Sequence, residues 1–288
     1  MRNNVSKAIL ACRNFEKGQA AKASIVRETK CNENVIEVWQ VDLDHFDSVK
    51  AFNERVNSQL VRLDGFVANA GLELRKFEAS EGCERSLTVD VITTYLVAFG
   101  ALPKLKATAS EYKTRTNLCL VGSMVHVFGP DAQLNHSGKD ATDTFDALSD
   151  PKIADMQARY PLSKLIEHLC YLELASRLPS GQEGVNVTVN IVNPGWCKTE
   201  LSRYKGSPLI ERIMAGIFQR TSEEGSRTLV HGVTADRTTH GKYLSECQVK
   251  EMSAFVRSAR STEIQQRLYA ELVARLEKIS PGVTAIAA

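Results

Sequence analysis

Tyr160 and Lys164 stand four residues apart in the run Tyr160-Pro161-Leu162-Ser163-Lys164, at the start of a segment with helical periodicity. Residues four apart on a helix share a face, so a phenol and an ammonium there can enter the same cleft. A free tyrosine titrates near pH 10, and using it as an acid or base near neutrality means favouring the phenolate by roughly 3 units, about 4 kcal/mol. A neighbouring ammonium supplies that kind of bias. Taken alone, the same five residues also describe an exposed helix pair, so the weight of the motif depends on what accompanies it.

Four further groups each follow a short apolar run. Ser123 comes after Asn117 to Val121 and Gly122, and its hydroxyl can donate to an oxygen on which negative charge develops. Asn69-Ala70-Gly71 follows Gly65 to Ala68, small residues that let a backbone approach a ligand closely or simply turn. Asn193-Pro194-Gly195 follows Val185 to Val192 and leads to Thr199, whose hydroxyl can bond a carboxamide or phosphate. Arg13 follows Ala8 to Cys12.

The elements that must hold these residues alternate in type. Apolar runs at Ala8 to Cys12, Val35 to Val41, Gly65 to Ala68, Leu118 to Val121 and Val185 to Val192 suit strands of a parallel sheet covered on both faces. Between them lie helix-period segments at Asp47 to Leu63, Ser80 to Leu105, Ile153 to Leu178 and Glu263 to Ile279; in the first, Val49, Phe52, Val56 and Leu60 share one face. Strand alternating with helix predicts an α/β fold, a doubly wound parallel sheet of the Rossmann type in a single domain spanning residues 1–288. Ligands of such sheets sit beyond the carboxyl ends of the strands, where all the groups above fall. Residues 124–153, rich in Asp, Gly, Ser and Asn, read as an irregular surface loop or equally a partial lid, and 197–220 as a candidate substrate lid with a short apolar helix at Leu209 to Phe218.

Composition narrows the function classes. Lys and Arg number 36 against 34 Asp and Glu, too even a balance to suggest a nucleic acid or an anionic membrane as partner. The seven cysteines are scattered without a Cys-x-x-Cys pair, which argues for reduced thiols and no metal site. No apolar run was expected to approach the roughly 20 residues of a membrane span, and Met1 to Lys7 is too polar for a signal peptide, so a cytoplasmic location is expected.

In their order, Asn69-Ala70-Gly71, Ser123, Tyr160-x-x-x-Lys164 and Pro194-Gly195-x-x-x-Thr199 resemble the signature series of the short-chain dehydrogenase/reductase family. The resemblance covers nearly the whole chain. Arg159 to Leu165, the long gap from Ser123 to Tyr160 and the run Gln266 to Val283 are similar to fungal-type, retinol-dehydrogenase-like members, many of which act in secondary metabolism. It implies hydride transfer between a nicotinamide and a carbonyl or alcohol carbon, with Tyr160 exchanging the proton, Ser123 holding the oxygen, and Lys164 lowering the tyrosine pKa and contacting the ribose. It also implies that Asp42 and Leu43 flank the adenine, Asn69 and Gly71 line the adenosine ribose side, and Pro194, Gly195 and Thr199 border the nicotinamide. Arg13 stands where a carboxylate would grip the 2′-hydroxyl of NAD, which favours NADP(H) as cofactor. Tyr204, Ile210, Met214 and Phe218 would line an apolar pocket for a small hydrophobic ketone or secondary alcohol. A homo-oligomer is left open.

Two departures from that pattern stand out. The family's supporting asparagine is matched by Asp90, which can accept hydrogen bonds but, when ionised, cannot donate them; turnover below that of an Asp90→Asn variant is expected. No Gly-rich turn precedes Arg13, so the expected sheet lacks its first strand and phosphate-binding turn, a segment on the order of 30 residues. That strand would lie centrally, and without it two strand edges face each other unpaired. A displaced start or truncated reading frame is expected over a viable shortened enzyme. The competing function is a non-catalytic chain that keeps the substrate half of the fold as a binding or structural protein.

Overall fold

Two parallel ladders carry the architecture of the computed structural model, which describes residues 5–135, 143–178, 186–197 and 220–287. In the smaller, β1 (Ala8–Cys12) pairs with β2 (Ile36–Gln40) in the register Ala8 to Ile36 through Cys12 to Gln40. The larger has five strands in the order β3-β6-β7-β8-β9: β3 (Gly65–Ala68), β6 (Thr116–Val121), β7 (Val187–Asn193) and β8 (Tyr243–Ser245) run parallel, and β9 (Gln248–Lys250) closes the edge antiparallel. The fold is thus α/β with a mainly parallel sheet, as expected. Every residue of β6 and β7 is buried, the polar Thr116, Asn117, Thr188, Asn190 and Asn193 included, as in strands covered on both faces. β1 and β3 do not pair with each other, and among the described residues each keeps one free edge.

The helices pack as their apolar spacing requires. In α2 (Phe46–Gln59), Val49, Phe52 and Val56 are buried. A short hairpin, β4 (Ala79–Ser80) with β5 (Cys83–Glu84), precedes α3 (Arg85–Glu111), so the helix begins five residues later than its periodicity suggested and runs on through Pro103. The Glu84 carboxylate caps it, accepting from the amides of Ser86 and Leu87. By length and composition α3 could cross a membrane, contrary to the expectation that no run would; 94% of its apolar window is buried inside the fold, so it is a core helix. α4 (Thr144–Leu148) and α5 (Arg159–Arg177) follow, then α6 (Ser222–Thr234) and α7 (Ala259–Ile279).

Several elements differ from the sequence reading. Helix α1 (Phe15–Thr29) was not anticipated because only Gly18 of it is buried; its signals are an Asn14 cap on the Lys17 amide and a left-handed Lys30 at its end, not an apolar stripe. The expected surface loop at 124–153 is a partly buried excursion: His126, Leu134, Phe145 and Leu148 are all buried, and α4 is caught between β5 and the C-terminal helix through Cys83 and Arg275. The proposed helix at Leu209 to Phe218, and most of the lid at 197–220, lie outside the described residues.

Candidate active site

The carboxyl end of β6 anchors the site. Ser123 caps the turn Met124–Phe128 by accepting from the Val125 amide at 3.3 Å. Below it, His126 Nε2 accepts from the Ser253 amide, so Nδ1 carries the proton and donates to the Ser123 carbonyl at 2.7 Å. Burial lowers the His126 pKa and keeps the ring neutral.

Helix α5 brings Tyr160 and Lys164 to the same place. Lys164 Nζ donates to the Val121 carbonyl, at the end of β6, and to Glu167 Oε2, both at 2.9 Å. Burial opposes its charge, but Glu167, Tyr160 and Asp90 outweigh that and raise its pKa. Tyr160, half-buried in the first turn of α5, is pushed up to about 12 by burial; Lys164 and a hydrogen bond with Ser123 pull it down, while Asp90 and Glu167 push it further up. The ammonium therefore supplies the bias expected of it, yet does not by itself bring the phenol toward neutrality.

Asp90 occupies the π-helical turn Thr88–Thr93 within α3. A wide turn of this kind re-aims side chains and recurs at functional sites. The extra carbonyls it frees are satisfied by hydroxyls, Thr93 to Thr88 and Thr94 to Val89. The Asp90 carboxylate accepts from the Leu72 amide and the Ser163 hydroxyl, both at 2.8 Å, and burial raises its pKa to about 6. It thus ties the Asn69-Ala70-Gly71 turn to α5. Gly71 packs close to both: a Cβ there would stand 3.2 Å from Asp90 Oδ1, a tight contact, and 3.7 Å from Lys164 Nζ, an ordinary one.

The residues expected at the adenosine side gather separately. Arg13, Asp42, Leu43, Asn69 and Gly71 line a cleft of about 590 Å³ between the free edges of β1 and β3. Arg13 is largely exposed and pairs with Asp44 at 3.2 Å, but Asp44 is already gripped by Arg85 at 2.7 and 2.6 Å. Asp42 Oδ1 accepts from the Asp44 amide and shapes the turn after β2. Pro194 and Gly195 follow β7, Gly195 at φ 81°; Thr199 lies outside the described residues.

Glu167 escaped the sequence reading, and Asn193 was read only as the start of a turn. Glu167, three residues beyond Lys164, has the spacing of a helix-surface ion pair, and only burial distinguishes it from one. Asn193 Oδ1 accepts from the amides of Met124 and Gly195, both at 3.1 Å, and its Nδ2 donates to Ser245. One carboxamide thereby ties the ends of β6, β7 and β8.

A site built on such strand ends has relatives. The chain is 40% identical to the short chain dehydrogenase/reductase dmxR8 of Cryptosporiopsis sp. (strain 8999) over 286 residues, 99% of this chain and 86% of that protein. The chain belongs to the short-chain dehydrogenase/reductase family. It is also 40% identical to the short chain dehydrogenase atnD of Emericella nidulans over 253 residues, 85% of this chain and 77% of that one, and the family model described as short chain dehydrogenase matches residues 2–129. Among solved structures it resembles the NADPH-bound carbonyl reductase from chicken fatty liver, at a TM-score of 0.56 and 18% identity over 85% of this chain and 87% of that one; this likeness speaks for the fold. As a short-chain dehydrogenase/reductase it is an oxidoreductase of the class acting on CH–OH groups.

Proposed function

We propose that the chain is an NADP(H)-dependent reductase interconverting a small hydrophobic ketone and a secondary alcohol, with Ser123, Tyr160 and Lys164 acting on the reacting oxygen. The observation that carries this reading is the meeting of those three side chains at the end of β6, with the Gly71 turn leading from Lys164 into the cleft that Arg13 flanks.

Arg13, Asp42, Leu43, Asn69 and Gly71 would hold the adenosine end of the cofactor, and Pro194, Gly195 and Thr199 would border its nicotinamide. The cleft is large enough for part of a dinucleotide and offers an exposed guanidinium, which fits; among the described residues no Gly-rich turn opens a helix there to cradle a pyrophosphate. When bound, the cofactor supplies or accepts the hydride. In reduction Ser123 donates a hydrogen bond to the substrate oxygen and Tyr160 passes its proton to that oxygen, leaving a phenolate beside the Lys164 ammonium. In oxidation the same groups run in reverse.

The NADP(H) preference rests on Arg13. Arg85 holds Asp44 more closely than Arg13 does, so the exposed Arg13 would give up only its 3.2 Å pair with Asp44 to take a 2′-phosphate. An apolar substrate suits the exposed Met124, Val127 and Phe128 that follow Ser123, and the exposed Trp196 on the turn that Asn193 ties to Met124. Tyr204, Ile210, Met214 and Phe218, also proposed for the pocket, lie outside the described residues.

Fluorescence titration of the purified chain with NADPH and NADH tests the reading. Micromolar or tighter NADPH binding is expected, and Arg13→Ala should weaken NADPH by about 10- to 100-fold while leaving NADH nearly unchanged, the loss of one or two charge-assisted hydrogen bonds. The free edges of β1 and β3 favour a second reading, a non-catalytic binding protein. A folded circular dichroism spectrum without binding of either nucleotide would support it instead.

A further inference from the structure

Behind Tyr160, two buried carboxylates press on one buried ammonium. Asp90 and Glu167 are 0% and 1% exposed and Lys164 is 4% exposed. Glu167 Oε2 lies 2.9 Å from Lys164 Nζ, and Asp90 approaches the ammonium from α3 across the space that a Gly71 side chain would fill.

The other titratable groups around this cluster do not balance it. Glu84, at the cap of α3, is matched by Arg159 at 3.4 Å. Tyr95 on α3 donates its hydroxyl to the Glu167 carbonyl at 2.7 Å, and burial holds it, like Cys170, in the neutral form. Tyr160 is likewise neutral. His168 uses Nδ1 on the Lys164 carbonyl, has no partner for Nε2, stacks on His126 at 4.1 Å and is kept uncharged by burial. Among the described residues, then, a second negative charge in the cluster has no cation to meet it. An uncompensated buried charge is relieved in practice by taking up a proton.

We propose that Asp90 and Glu167 share a single proton at neutral pH, so that together they present one negative charge to Lys164, and that Glu167 is a positioning residue acting on Tyr160 through that lysine. Burial raises both carboxyls, to about 6 and about 7, in keeping with a pair that titrates as a unit. Asp90 accepts two hydrogen bonds from neutral donors and Glu167 accepts one from the Lys164 ammonium, so both carboxylates have support for the charge and the proton belongs to the pair. The consequence for chemistry rests on the proton-transfer role proposed above: each ionised carboxylate raises the Tyr160 pKa, and the shared proton removes one of them. The proton itself can be read without cofactor or substrate.

An amide imitates a neutral carboxyl, so Glu167→Gln, Asp90→Asn and the double variant separate the possibilities. A carboxyl whose folded pKa is raised contributes stability below its unfolded value, near 4, and loses it as pH rises through the folded value. Wild type should therefore lose melting temperature, relative to either single variant, between about pH 4.5 and 7.5. At about pH 8 each single variant should melt level with wild type or a few degrees above it, whereas the double variant, leaving Lys164 without a counter-charge, should melt far below both. Infrared difference spectra of wild type should show a protonated-carboxyl band that fades from about pH 6 to 8 and is missing from each single variant. Two single variants that both melt below wild type at about pH 8 with an unchanged pH slope, or a wild type without that band at about pH 6, would overturn the proposal. A band that is present in a chain without turnover would count against the oxidoreductase reading and leave the shared proton standing.

Discussion

Tyr160 is the residue on which the proposed chemistry turns, and its surroundings give it a direction. With burial holding the phenol at about 12, it stays protonated through neutral pH and is ready to give a proton, as reduction requires. In oxidation it must first become phenolate, so that rate should climb with pH across the neutral range while the reduction rate stays flat and falls only when the phenol ionises. Tyr160→Phe should reduce turnover by roughly 10²- to 10⁴-fold, with NADPH binding within a few-fold of wild type; steady-state kinetics paired with titration checks both, and a variant retaining most of its turnover would remove Tyr160 from the mechanism. Ser123, Tyr160 and Lys164 were legible because the chain order of strand ends and a helical spacing of four fixes their meeting. Glu167 and the tying role of Asn193 were not, because a carboxylate on a helix and an amide before a proline become informative only once burial and partners are known.

At the scale of elements, position depends on how closely the central helices approach. α2 and α3 meet where Asn53, buried, donates to the Leu96 carbonyl at 3.0 Å and lies against Gly100; a Cβ at Gly100 would stand 2.1 Å from the Asn53 carboxamide. Gly100→Ala must therefore push α2 away or break that hydrogen bond, and should destabilise the protein by about 1–3 kcal/mol, read as a lower urea midpoint. Gly100→Ala combined with Asn53→Ala should recover part of the loss, and additive effects would mean that the two do not meet. The same helix carries Asp90, so its displacement should also show as lower turnover. Sequence periodicity found α2, α3, α5 and α7 through their apolar faces, yet missed α1, which buries little, and α6. The latter had a readable signal in the capping box of Thr221 and Glu224. The three-residue strands β8 and β9 are too short for any period to register.

The whole molecule is divided by the cleft that would hold the cofactor. On one side stand β1, β2 and α1; on the other, the five-stranded sheet. The expectation of a doubly wound, mainly parallel sheet was correct in class, and among the described residues the division falls between β1 and β3, which do not pair. No residue of β1 is fully buried, whereas all of β6 and β7 are. Two strands seldom suffice to hold themselves, so the smaller ladder depends on contacts such as Trp39 against Phe52, ring centroids 6.0 Å apart. Native-state hydrogen exchange should therefore find the amides of β1 exchanging at least about 100-fold faster than those of Leu118 to Val121, through a local opening that leaves the larger sheet intact. NADPH, if held as proposed by Arg13 and Asp42 on one wall and by Asn69 and Gly71 on the other, would bind only while both walls are folded. At saturation it should slow exchange in β1 more than in β6, because a ligand protects most where opening destroys its site. Equal protection of both strands in the free chain would mean that the ladders unfold as one unit.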